Sequence, residues 1–162
     1  MRGAILWVDN DKGYILPFVE ALRRNDYEVV VVDNAWEAER RLTSETVDLV
    51  IIDVMIPLKS GEGSQVYNPE QTKRGLKTGL LLFRRLREQG RAADGKVLVL
   101  SVRIDEKIRQ EFLEAGLHPD HFVTKLEVRR VPDFLAKVAE MIIQRPDPSS
   151  NAAPLFEEDG KE

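Results

Sequence analysis

The sequence predicts an α/β fold, a five-stranded parallel sheet doubly wound with helices on both faces. Three observations carry this. Short β-branched runs alternate with longer segments of helical period. The first four runs are almost continuously apolar, the pattern of strands covered on both faces. The helical segments carry apolar stripes on one side only. The order reads βαβαβαβαβα, and right-handed crossovers turn that order into a three-layer sandwich.

The strands are Ala4 to Val8, Glu28 to Val32, Asp48 to Ile52, Lys96 to Leu100 and His121 to Thr124. In the first helix, Ile15, Phe18, Val19 and Leu22 fall at i, i+3, i+4 and i+7. Ala35, Ala38 and Leu42 mark the second, with Asn34 as its N-cap. Leu76, Leu80 and Phe83 line the third, and Ile104, Ile108 and Phe112 the fourth, which Gly116 stops. Val131, Phe134, Leu135, Val138 and Ile142 give the fifth its stripe, and Pro132 is tolerated in its first turn.

Two segments break this rhythm. The stretch from Lys59 to Arg74 (KSGEGSQVYNPEQTKR) has no apolar period and reads as a long loop, beyond the roughly 12–15 residues common for structureless connections. It is either a solvated insertion or a docking arm that uses Tyr67 and the basic pair Lys73 and Arg74. If it is a docking arm, deleting residues 60–73 should change partner or phosphorylation specificity without unfolding the protein, whereas unchanged behaviour favours the solvated insertion. Residues 146–162 are rich in Pro, Ser and acids and are expected to be disordered. The expected organisation is one domain over 1–145, with an insertion near 58–75, followed by that acidic tail.

Composition narrows the function. The chain has 162 residues, 43% hydrophobic and 32% charged, with a net charge of −4. The tail accounts for that charge, so the body is close to neutral and lacks the concentrated basic face of a nucleic-acid binder. With no cysteine, thiol chemistry and zinc-thiolate sites are excluded. No apolar run reaches the roughly 18 residues of a membrane span, and a cytoplasmic location is expected. There is no Walker-type phosphate loop and no GxGxxG after the first strand. His118 and His121 have no partner at metal-ligand spacing and read as structural or exposed. Arg84, Arg85 and Arg87 read as a solvated helix face. An enzyme acting on a separate substrate is not expected.

Ligands of such sheets gather at the carboxyl ends of the strands. Asp9, Asn10 and Asp11 lie just beyond the first strand and Asp53 just beyond the third. Ser101 ends the fourth strand and Lys125 the fifth. Each alone has an ordinary explanation: a helix cap for Asp9 or Asp11, turn chemistry for Asp53 and Ser101, a solvated surface for Lys125. Their joint placement on one edge is what suggests a site. Two carboxylates about 5 Å apart repel by on the order of 3 kcal/mol at an effective dielectric near 20. A hard divalent cation such as Mg²⁺ would relieve that repulsion and draw in a phosphoryl group.

The stretches ILWVDND (Ile5 to Asp11), LVIIDVMIP (Leu49 to Pro57), VLVLSVR (Val97 to Arg103) and HFVTK (His121 to Lys125) together resemble the ordered signatures of response-regulator receiver domains, a flavodoxin-like fold. The resemblance covers about residues 3–145. It implies two-component, phosphorelay signalling, with Asp53 as the phospho-acceptor of a histidine kinase or phosphotransfer protein and Mg²⁺ as cofactor. It further implies metal ligation by Asp9, Asn10, Asp53 and the backbone carbonyl of Met55. Lys125 and Ser101 would contact the phosphoryl group, and Ser101 and Phe122 would form the switch. Output would pass to a downstream protein, with a homodimer through the fourth helix, fifth strand and fifth helix as a further expectation.

The sequence departs from the family at several places. Asn10 stands where a second acid is usual. Val102 replaces a small residue and is expected to crowd the pocket. Leu126 replaces the proline that commonly follows the lysine with a cis peptide. The glycine after the Asp-x-x-x-Pro motif is Gly79, so the connection is longer than usual by about eighteen residues. These departures keep a second reading open, a pseudo-receiver that acts as a phosphorylation-independent interaction module.

Overall fold

A computed structural model describes residues 1–91, 96–102 and 105–143. Its elements run β1 (Gly3–Val8), α1 (Lys12–Arg24), β2 (Tyr27–Val32), α2 (Ala35–Ser44), β3 (Leu49–Asp53), α3 (Pro69–Thr72) and α4 (Thr78–Glu88). There follow β4 (Val97–Ser101), α5 (Glu106–Glu114), a 3₁₀ turn (Pro119–His121), β5 (Phe122–Thr124) and α6 (Val131–Ile143). The five strands form one sheet in the order β2-β1-β3-β4-β5, and every pairing is parallel. The predicted fold class is thus the observed one. The expected tail, and Ile104 of the fourth predicted helix, lie outside the described residues.

Strand period divides the core in two. Leu6, Val8, Val50, Ile52, Val97 and Val99 face α2, α4 and α5, where they pack with Ala38, Leu80, Phe83 and Phe112. Ile5, Trp7, Leu49, Ile51, Leu98 and Leu100 face α1 and α6, against Phe18, Leu22, Phe134 and Val138. Alternate residues of a strand must point to opposite faces, and both sets are apolar because both faces are covered. On the α1/α6 side Phe134 stacks on Trp7 at 5.2 Å and meets Phe18 edge-on at 5.2 Å.

The helix ends obey local chemistry. Asn34 caps α2, its side chain accepting from the Glu37 N–H, and Asp105 caps α5 through Lys107 and Ile108. Gly116, at φ +110°, follows the end of α5 as expected.

The long connection differs from its prediction. Most of its residues are exposed, but the segment is docked onto the domain by a few buried anchors. Asn68 caps the short helix α3, whose first residue is Pro69. Tyr67 and Thr72 are buried at 5% and 0% exposure. The Tyr67 hydroxyl donates to Glu39 of α2, which is itself buried. Arg85 of α4 binds the same carboxylate through Nε, and its Nη2 lies 3.1 Å from Oε2. Gly63, at φ +88°, lies so close to Trp36 that a Cβ there would sit 2.3 Å from the ring. The periodicity argument missed this packing because it is made by single anchors, Tyr67 and Gly63, and not by a repeating stripe.

The arginine face is corrected for the same reason. Arg85 belongs to the Glu39 pair, and Arg84 lies 3.7 Å from Glu111. Arg87 packs over Gly116. Leu76, assigned to the third helix, precedes α4 and is half exposed.

Candidate functional site

The register brings the acidic residues together. Val8 pairs with Ile52 across β1 and β3, so Asp9 and Asp53 leave the sheet side by side, where the strand order reverses. Asp53 is the last residue of β3, which runs one residue beyond its predicted end at Ile52. Gly79 fixes the backbone behind it. The Gly79 N–H donates to the Val54 carbonyl at 2.9 Å, and a Cβ on Gly79 would come within 2.2 Å of the Asp53 carbonyl oxygen.

Strand parity then sorts the remaining residues. Asp9, Asp53 and Lys125 continue the series Ile5–Trp7, Leu49–Ile51 and Val123, which face α1 and α6. Lys125 places Nζ 3.1 Å from Asp9 Oδ2 and 3.9 Å from Asp53 Oδ2. All three are buried. The other Asp9 oxygen accepts from the Asp11 N–H at 2.9 Å. Asp11 is exposed and takes the capping role weighed for it, accepting from the Tyr14 N–H at 3.3 Å.

Above this triad opens a cleft of about 590 Å³, whose walls include Asn10, Asp53, Met55, Arg74, Val102 and Lys125. Val102, 53% exposed, forms part of one wall of the cleft.

Ser101 and Phe122 have the opposite parity. Ser101 follows Val97 and Val99, which face α4 and α5, and it lines an adjoining pocket of about 250 Å³ with Val54, Met55 and Ile108. Phe122 is buried, its ring 5.5 Å from Phe112, which is 5.7 Å from Phe83. The two predicted switch residues therefore share one side of the sheet, and the acid–lysine triad occupies the other.

The electrostatics follow from burial. Desolvation and then the neighbouring Asp9 carboxylate push Asp53 up to about 7, against the pull of Lys125 and of the Val54 and Met55 N–H groups. A site that holds a carboxylate in this way favours an added cation. Asp9, Asn10, Asp53 and the Met55 carbonyl offer an all-oxygen donor set, which fits a hard divalent ion. Among the described residues, no three or more His, Cys, Asp or Glu side chains cluster as a metal site. The Asn10 amide and a main-chain oxygen complete this set.

Tyr14 was not foreseen. Lys125 Nζ sits 4.8 Å from the centre of its ring, and its hydroxyl donates to the Lys125 carbonyl at 3.4 Å. The Lys125–Leu126 peptide is trans, as are all described peptide bonds, and the Lys125 N–H donates to the Ser101 carbonyl at 2.7 Å. The signal for Tyr14 was its place in the first turn after Asp11, facing the strand ends. The histidines are structural: His118 Nδ1 accepts from the Asp120 N–H, and His121 is buried beside it.

No protein-family model matches the chain, and no curated protein matches it. Solved structures do. The receiver domain of a Francisella response regulator aligns at TM-score 0.65 and 20% identity, over 87% of this chain and 97% of that one. A CheY-like receiver domain protein from Methanospirillum hungatei aligns at 0.65 and 19%, over 86% and 93%. A response regulator from Thermotoga maritima aligns at 0.61 and 25%, over 86% and 97%. Among the described residues no helix is long and apolar enough to cross a membrane. Sheet order, register and these likenesses agree, and the chain has the CheY-like receiver fold of response regulators.

Proposed function

We propose that the chain is a single-domain response regulator that accepts a phosphoryl group on Asp53 and signals by binding a downstream protein. The observation that carries this reading is the buried arrangement of Lys125 with both Asp9 and Asp53, at 3.1 and 3.9 Å, under an open cleft. A structural ion pair needs one carboxylate. A second one, raised toward neutrality and facing solvent through a cleft, is placed to react.

In this reading a histidine kinase or phosphotransfer protein presents a phosphohistidine at the cleft. Met55, Leu76 and Val102, all at least 38% exposed, give the cleft an apolar rim for the donor to cover. A Mg²⁺ ion held by Asp9, Asn10, Asp53 and the Met55 carbonyl would polarise the phosphoryl oxygens and offset the charge that builds on them. Asp53 supplies the nucleophilic oxygen, with Val54 and Met55 N–H groups holding its carboxylate. Lys125 balances the charge of Asp9 while Asp53 is free and pairs with a phosphoryl oxygen afterwards. Ser101 and Phe122 transmit the change to α5, β5 and α6, the face open to a partner or a second copy. The chain acts as a phospho-acceptor in the cytoplasm, not as an enzyme on a separate substrate.

The test is the intact mass after incubation with Mg²⁺ and acetyl phosphate. One added phosphate, absent in Asp53→Ala, is expected. A folded protein that gains none sinks the reading. Asn10 favours the second reading, a phosphorylation-independent interaction module, because an amide adds no charge to hold the cation. That reading predicts no mass gain, together with partner binding that Asp53→Ala leaves unchanged.

A further inference from the structure

We propose that Arg74, carried to the cleft by the long connection after β3, is a phosphoryl-binding residue that grips the group on Asp53 alongside Lys125. The inference rests on the reading of Asp53 as the acceptor and adds a binding residue to it. Its basis is where the connection docks and how it ends. Tyr67 and Gly63 fasten the segment to α2, and α3 then leads straight to the rim of the cleft, where Arg74 lines the wall with Asp53, Asn10 and Lys125.

The backbone at this point is costly to form. Lys73 and Arg74 are consecutive left-handed residues, at φ 54° and 59°, a conformation that non-glycine residues seldom adopt. It is held in place by local bonds. The Arg74 N–H donates to the Pro69 carbonyl at 2.8 Å, the Gly75 N–H to Thr72 Oγ1 at 3.0 Å, and the Lys77 N–H to the Thr72 carbonyl at 2.8 Å. Thr72 is fully buried. Strain maintained by such a framework collects where a side chain must be aimed.

Charge gives the arginine its task. Lys125 is already engaged by Asp9 at 3.1 Å, whereas the Arg74 guanidinium has no ion pair or side-chain hydrogen bond among the described residues. Asn10 in place of an acid removes one charge that would otherwise hold it. A planar guanidinium can bind two phosphoryl oxygens at once, which an ammonium cannot. With acetyl phosphate as donor, an Asp53 carboxylate oxygen forms the new O–P bond. The P–O bond to acetate breaks, and acetate leaves with the electron pair. Arg74 donates to two of the non-bridging oxygens throughout.

The experiment follows phosphorylation of the full chain by acetyl phosphate and Mg²⁺ with time-resolved intact mass. Arg74→Gln should slow labelling of Asp53 by about 10- to 100-fold, the effect of one charged hydrogen-bonding partner. Arg74→Lys should recover part of the rate. Lys73→Gln removes the same charge one residue away, on the adjoining pocket, and should leave the rate close to wild type. Arg74→Asn serves if Arg74→Gln folds poorly, because asparagine tolerates the left-handed backbone. A wild-type rate in Arg74→Gln overturns the inference alone, and so does an equal loss in Lys73→Gln, which would mark bulk charge. A wild-type chain that takes no phosphate overturns the acceptor reading and this inference with it.

Discussion

Glu39 joins three segments, and replacing it with glutamine measures how firmly the long connection is docked. Its Oε1 accepts from the Tyr67 hydroxyl and from Arg85 Nε. Its Oε2 lies 3.1 Å from Arg85 Nη2 and 3.4 Å from Gln89 Nε2. Arg91 Nη1 reaches its main-chain carbonyl at 3.3 Å. The residue is 5% exposed. Breaking a fully buried ion pair from one side costs about 3–5 kcal/mol. The Arg85 side chain is 29% exposed and can rehydrate, so the cost of Glu39→Gln should be about half, roughly 2 kcal/mol. That corresponds to a fall in Tm of about 4–8 °C for a domain of this size.

Burial pushes the Glu39 carboxyl up, but its bonds to Arg85 and Tyr67 together bring it below the usual carboxylate range. The folded protein thus holds this proton less tightly than the unfolded chain. The stabilisation is complete above the unfolded value, near pH 4.3, and is lost as pH falls through the lower folded value. Urea unfolding followed by tryptophan fluorescence should show a constant gap between wild type and Glu39→Gln from pH 8 to 5, shrinking below that. A double-mutant cycle with Tyr67→Phe should give a coupling above about 0.5 kcal/mol. A Glu39→Gln loss under about 0.5 kcal/mol, in the range of ordinary surface substitutions, would refute the reasoning and return the connection to a loose loop.

The same docking means that deletion of residues 60–73 destabilises the domain, contrary to the expectation from sequence, since it removes buried Tyr67 and Thr72; a lowered urea midpoint checks this. Gly79→Ala should cost about 1–3 kcal/mol or more, because its Cβ would press on the Asp53 carbonyl; acyl-phosphate labelling should fall with it, and an unchanged urea midpoint would argue against the close packing. Asp53, raised to about 7, binds its proton more tightly in the folded state, so wild type loses stability as pH climbs from about 4 to 7. Without Mg²⁺, Asp53→Asn should therefore be more stable than wild type by on the order of 1–3 kcal/mol at pH 8, and by less at pH 5. Equal gaps at the two pH values would contradict the assigned titration.

Much of this protein could be read from residue order alone. The alternation of apolar runs with striped helices determined the layers, because a strand covered on both faces has no polar side to show. The ordered stretches around Asp9, Asp53, Ser101 and Lys125 placed the candidate site at the carboxyl edge of the sheet. Period two also contained, unread, the division between the acid–lysine triad and the Ser101–Phe122 side, since it follows from which strand positions are odd and which even.

Other features depended on tertiary structure. Lys125 could meet both acids only once register set β1 and β3 side by side and Tyr14 lay against the lysine. The raised Asp53 came from burial beside Asp9, a distance that residue order does not contain. The connection after β3 was the largest miss. Its docking depends on Tyr67 reaching Glu39, 28 positions away, and on Arg85 arriving at the same carboxylate from a third segment. Local pattern determined the sheet, whose contacts repeat, and tertiary structure decided the docked connection, whose contacts are single and distant in sequence.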